Sequence, residues 1–168
     1  TKYIGEFRDN EYHGKGILHI PTGTSFVFYD GFFKEGLPHG EGKMTCRDGA
    51  LIVGTFYEGD LHGEIKMRVL DPPGSKKYTT FEGLYNHGEK VRGTFRYSNG
   101  NSYTGEFRYD DQLADLQHGH GKYIDVINKF VYEGEYKDDF RHGYGKYSRF
   151  DGQVIYEGQW ENGQPLSL

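Results

Sequence analysis

The chain has 168 residues, among them 26 glycines, 15 tyrosines and 12 phenylalanines, with a mean hydropathy of −0.82. Its 20 basic and 25 acidic residues give a formal net charge of −5, which excludes the basic stripe that nucleic-acid binding requires. The single cysteine, Cys46, cannot close an intrachain disulfide and points to a reducing, cytoplasmic compartment, and no apolar run reaches membrane-spanning length.

Seven segments place an aromatic or apolar residue, a glycine and a second aromatic at every other position, which is the period of a strand. In chain order they are Tyr3-Gly5-Phe7, Tyr29-Gly31-Phe33, Ile52-Gly54-Phe56, Phe81-Gly83-Tyr85, Tyr103-Gly105-Phe107, Tyr132-Gly134-Tyr136 and Tyr156-Gly158-Trp160. Polar turns and second alternating runs follow them, so each unit reads as a β-hairpin. A His-Gly pair recurs at His13-Gly14, His39-Gly40, His62-Gly63, His118-Gly119 and His142-Gly143, and is read as a turn signature. The stretch Thr24-Ser25-Phe26-Val27-Phe28 extends a strand, and Asp71-Pro72-Pro73-Gly74-Ser75-Lys76-Lys77 is a protruding loop that divides the array into halves. Asp110 to Gln117 interrupts the fifth unit and is expected to make one short helical turn. Pro165 ends the last strand.

The fixed short period predicts an all-β, elongated single-sheet antiparallel β-hairpin solenoid. Residues 1–168 form one array of six hairpins plus a half-repeat, about 13 strands, and the chain reads as a fragment of something longer. Strand glycines let rings lie flat across the backbone, so the expected core is a layer of rings over glycine.

Tyr-x-Gly-x-aromatic, then His-Gly-x-Gly, then Asp-Gly or a similar turn, resembles the MORN repeat family from Tyr3 to Trp160. Three units depart from the pattern: Ile65 replaces the second glycine of the third, Val91-Arg92-Gly93 replaces His-Gly in the fourth, and the fifth carries inserted residues. The resemblance implies a scaffold in the cytoskeleton, in cilia or at membrane contacts, sometimes as a homodimer or part of a large assembly.

Groups that recur by rank serve the fold, because a reaction needs one asymmetric constellation. Turn histidines two strands apart stand roughly 10 Å from one another, too far to share a metal ion. The glycine pairs have neither a Walker sequence nor a helix N-terminus, so no nucleotide site is expected, and no cofactor. No hydrolase elbow, zinc-protease motif or Cys–His signature around Cys46 points to an enzyme.

Lys43, Lys66, Lys122 and Lys146 fall on the face opposite the rings and are the candidate contacts for anionic lipid. Glutamates of the first strands are expected to neutralise them, so lipid binding is expected to be weak or absent. The rings offer the second candidate surface. Tyr29, Phe56, Phe81, Tyr85, Tyr103, Phe107 and Tyr132 are expected to line a partner groove, stacked as columns of equal rank and most open beside the fourth unit. Leu113 and Leu116 are expected loop contacts, and the partner is a helix or an extended peptide. A peripheral phospholipid-binding or tethering module, and the targeting arm of an enzyme lying outside this chain, are the alternatives.

Overall fold

A computed structural model describes residues 1–72 and 74–167; Pro73, in the predicted loop, and Leu168 lie outside the described residues. Alternation of rings and glycines produces strands throughout: β1 (Lys2–Arg8), β2 (Glu11–His19), β3 (Phe26–Lys34), β4 (Leu37–Cys46), β5 (Leu51–Tyr57), β6 (Asp60–Leu70) and β7 (Tyr78–Asn86). They continue as β8 (Glu89–Arg96), β9 (Ser102–Asp110), β10 (Ala114–Asp125), β11 (Phe130–Lys137), β12 (Phe140–Arg149), β13 (Val154–Glu161) and the two-residue β14 (Gln164–Pro165). Together they form one open antiparallel sheet of fourteen strands in chain order. Two compact units divide the chain, Thr1–Gly88 and Glu89–Leu168.

The hairpin turns precede the His-Gly pairs, with two residues between each two-residue turn and its pair. Asp9-Asn10, Glu35-Gly36, Glu58-Gly59, Asp138-Asp139 and Asn162-Gly163 each hold two consecutive positive φ values, the geometry that matches strand twist in a two-residue hairpin. The His-Gly pairs, read from sequence as turns, instead lie inside the second strands and open a bulge there. On β2, Gly5 pairs with Gly16 and Glu6 with His13, leaving Gly14 and Lys15 without partners on β1. β10 does the same, leaving Gly119 and His120 between its two pairs with β9. The bulge glycines carry positive φ, 59° at Gly14 and 58° at Gly143, where a side chain is disfavoured.

Each bulge ties one hairpin to the next. In the first unit the second turn residue donates its N–H to the carbonyl just before the histidine: Gly36 to Tyr12 (3.0 Å), Gly59 to Pro38 (2.9 Å) and Gly88 to Leu61 (2.8 Å). In the second unit Asp139 donates to Gln117 (3.0 Å) and Gly163 to Arg141 (2.9 Å). His39 and His62 add their Nδ1 atoms as acceptors for the N–H groups of Glu58 and His87.

Both loop expectations change. The stretch 71–77 does not divide the sheet, because β6 and β7 pair without a break from Gly63↔Tyr85 to Leu70↔Tyr78. Asp110 to Gln117 makes no helix. Asp110 Oδ1 accepts the N–H groups of Gln112 and Leu113, Ala114 takes φ 65°, and β10 begins there. The Thr24 stretch extends β3 only from Phe26.

A ladder of glycines crosses each unit at one rank. In the first unit it runs Gly5–Gly16–Gly31–Gly42–Gly54, ending on Ile65 and Gly83. Tyr29 lies over Gly31 and Gly42, so that a Cβ added at Gly42 would stand 2.5 Å from the ring. The phenol then donates to the Phe32 carbonyl at 3.1 Å. Tyr3, Tyr103, Tyr132 and Tyr156 repeat this bond to the carbonyl three residues on. Ile52 and Ile65 replace ring and glycine together in the third hairpin. Ile65 is fully buried, filling space that the missing phenol would have taken.

Candidate binding surface

The rings expected to line a groove form the core instead. Tyr29 and Tyr103 are 0% exposed, Phe56 and Tyr132 1%, Phe81 2% and Tyr85 5%; Phe107 alone is half-buried. Nor do rings of equal rank stack in columns. The first ring of one hairpin meets the second ring of its own hairpin and of the next, edge to face. Tyr29 lies 5.0 Å from Phe33 and 5.1 Å from Phe56; Tyr132 lies 5.2 Å from both Tyr136 and Trp160. Each such contact contributes about 0.5–1.5 kcal/mol beyond area burial, so a zigzag spine binds hairpin to hairpin. Burial pushes the phenols of Tyr29, Tyr103 and Tyr136 well up, and that of Tyr132 up to about 12 with Arg141 opposing. Such phenols hold their protons at neutral pH and are poor acid–base groups.

The first-strand glutamates also have a structural use. Glu6, Glu106 and Glu135 do not pair with lysines; they accept the N–H groups that the bulges free on Lys15 (3.0 Å), His120 (2.6 Å) and Tyr144 (2.5 Å). The carboxylate lies so close that a Cβ at Gly119 would stand 2.5 Å from Glu106 Oε2. That leaves the glutamates before the central glycine to meet the lysine column. Lys66 pairs with Glu82 at 3.2 Å and Lys122 with Glu133 at 3.4 Å, all well exposed. Lys43 stands opposite Asp30, and Lys146 between Glu133 and Glu157. All four lysines are exposed, on an outer face where acids alternate with them.

Leu113 is 70% exposed at its turn, whereas Leu116 is buried in β10 and is no loop contact. Burial, then Asp48, pushes the Cys46 thiol up, away from a reactive thiolate. Among the described residues no three His, Cys, Asp or Glu side chains are placed to share a metal ion.

On the ring side Phe7 stays exposed at the start of the first unit, and the second unit carries a concavity. Gln117, Tyr123, Tyr136, Asp139, Phe140 and Arg141 line a concavity of about 240 Å³. Arg141 projects from the second residue of β12, with its guanidinium carbon 5.0 Å from the Tyr132 ring, 4.9 Å from Tyr147 and 5.4 Å from Trp160. Phe140 at its rim is 55% exposed. Sequence reasoning passed over Arg141 because it recurs in no other His-Gly unit: Tyr12, Pro38, Leu61 and Gln117 hold that place. The fourth hairpin also places a cation at this rank, Lys90, and two basic residues at a rank otherwise held by neutral ones were the available signal.

The family model for the MORN repeat matches residues 3–25, 29–51, 81–102, 113–127, 132–154 and 156–165. The unmatched stretch after residue 51 begins the third hairpin, where Ile52 and Ile65 replace ring and glycine. The chain is also 26% identical over 151 residues to Alsin of Mus musculus and of Homo sapiens. Those matches cover 82% of this chain and 8% of the relatives' length.

Proposed function

Because the chain belongs to the MORN repeat family, whose repeats serve as protein- or membrane-binding modules, we propose that it is a non-catalytic protein-interaction scaffold. One observation carries the reading. The recurring rings and bulge carboxylates are engaged in holding the sheet, while the second unit keeps an open, aromatic, cation-bearing concavity on its ring side. Half-exposed aromatic and arginine side chains in a concavity are the composition of protein-binding hot spots. The partner is a helix or extended peptide with apolar anchors, and the setting is a cytoplasmic assembly of cytoskeletal or ciliary type, with the chain as homodimer or subunit. A targeting arm for a larger enzyme is compatible with this, since the chain spans 8% of the length of the Alsin relatives.

The membrane alternative has less support. Lys66 and Lys122 are already paired and Lys43 and Lys146 face acids, so the column offers an anionic surface little net charge. A photo-reactive residue placed at Phe140, with a control at Val154, decides between them. The scaffold reading expects a protein adduct from cell extract at Phe140 and none at Val154. No adduct at Phe140, together with vesicle sedimentation abolished by Lys43→Ala plus Lys146→Ala, would establish lipid binding instead.

A further inference from the structure

Two strands of the second unit, β8 and β12, carry the same cage around a cation. In each, the second residue after the turn is basic: Lys90 after His87-Gly88 and Arg141 after Asp138-Asp139. Lys90 Nζ stands 4.6 Å from the Phe95 ring and 5.3 Å from Phe107. Arg141 stands over Tyr147 and Trp160, and these rings match by register: Phe95 pairs with Tyr103 as Tyr147 pairs with Tyr156. Phe107 and Trp160 are both the second ring of the following hairpin.

The cages differ in one component. Asp115 Oδ2 closes the first, 2.9 Å from Lys90 Nζ, and leaves the lysine 8% exposed. Asp115 reaches it because the fifth hairpin runs on past Phe107 to Asp110 before turning. The seventh hairpin turns directly after Glu161, and Trp160 pairs with Pro165. It therefore has no counterpart of Asp115: Asp125 feels the Arg141 charge from farther off, but among the described residues no carboxylate lies within ion-pair distance of Arg141. Asp139 lines the same concavity, but its Oδ1 accepts the Gln117 N–H at 2.7 Å.

We infer that the Arg141 concavity is a recognition site for an acidic side chain of a partner peptide, which supplies from outside the carboxylate that Asp115 supplies to Lys90. This rests on the scaffold reading and names the chemistry of its partner. A guanidinium with aromatic faces around it has fixed in-plane donors left for a planar carboxylate. A volume of about 240 Å³ suits one or two side chains rather than a small-molecule cofactor, and exposed Phe140 offers an apolar neighbour for the residue beside the acid. An anionic membrane fits less well, because Asp139 and the net charge of −5 oppose a broad negative surface.

Trp160 is the only tryptophan and touches the cage, so its fluorescence reports occupancy directly. The probes are a capped pentapeptide with one aspartate between leucines, its asparagine counterpart, and phosphatidylserine vesicles. Expected are a saturable change with the aspartate peptide, at least tenfold weaker binding of the asparagine peptide, loss of that difference in Arg141→Gln, and no vesicle binding. Gly163 also lines the concavity, and Gly163→Asp supplies a second variant that leaves the stacked rings in place. Asp139 already occupies the matching turn position at φ 71°, so the turn tolerates the change, and the added rim carboxylate is expected to weaken the aspartate peptide at least fivefold. Equal binding of the two peptides overturns the carboxylate inference while leaving the scaffold reading in place, as does binding unaltered by both substitutions. Silence from both peptides with Arg141-dependent vesicle binding overturns both.

Discussion

Replacing Gly42 by isoleucine forces a Cβ to within 2.5 Å of the Tyr29 ring, and the ring has no free side to move to because Phe33 and Phe56 meet it edge to face. Overpacking of that kind costs about 1–3 kcal/mol, and loss of the phenol bond to Phe32 adds about 0.5–1.5 kcal/mol. Tyr29→Ile alone removes a fully buried ring and its two edge-to-face contacts, at about 2–4 kcal/mol. Together the two substitutions recreate the Ile52/Ile65 arrangement of the adjacent hairpin, where isoleucine at the glycine rank is completely buried. The double variant is therefore expected to lose less than the sum of the single variants, with a coupling of at least about 1 kcal/mol, within the range seen for contacting residues. Urea unfolding followed by circular dichroism measures all three. Losses that add without coupling would show that ring and glycine are independent and that ring-over-glycine packing is not the unit of this core.

Glu135→Ala leaves the bulge N–H of Tyr144 without its acceptor and is expected to cost about 1–3 kcal/mol, whereas Glu157→Ala on the exposed outer face costs under about 0.5 kcal/mol; thermal melts compare them. Asp115→Asn takes the carboxylate from the buried Lys90 and is expected to cost about 1.5–3 kcal/mol, against about 0–1 kcal/mol for Glu133→Gln at the exposed Lys122 pair, measured by urea unfolding. The buried phenols have raised folded-state pKa values, so their stabilisation is complete below the ordinary tyrosine value of about 10 and lost as pH rises past it, through about 12 for Tyr132. Unfolding free energy is expected to fall above pH ~10 by about 1.4 kcal/mol per pH unit for each phenol that ionises only on unfolding, with ultraviolet titration of phenolate as the check.

The strands were legible because Tyr-x-Gly-x-aromatic states both the period and the packing partner of the ring. Asp138-Asp139 was legible as a turn for the same reason, lying between two alternating runs. The His-Gly pairs were not, since glycine at positive φ serves a bulge as well as a turn and only the pairing register separates them. The zigzag between Tyr29 and Phe56 depends on how far each ring leans along the sheet, which spacing within one strand does not encode. Leu116 looked like part of a loop because the fifth hairpin runs on past Phe107, and Arg141 gained its meaning only when Tyr132, Tyr147 and Trp160 were brought around it.

The central claim is that rank-repeated rings hold the sheet and leave recognition to the margins of the ring side. Hydroxyl-radical footprinting of the free protein tests it residue by residue. Tyr29, Phe56, Tyr103 and Tyr132 are expected to resist oxidation while Phe140, Tyr144 and Leu113 are modified rapidly, following exposures of 0–1% against 52–70%. Oxidation of Tyr103 and Tyr132 as fast as Phe140 would contradict the account and return those rings to an open groove.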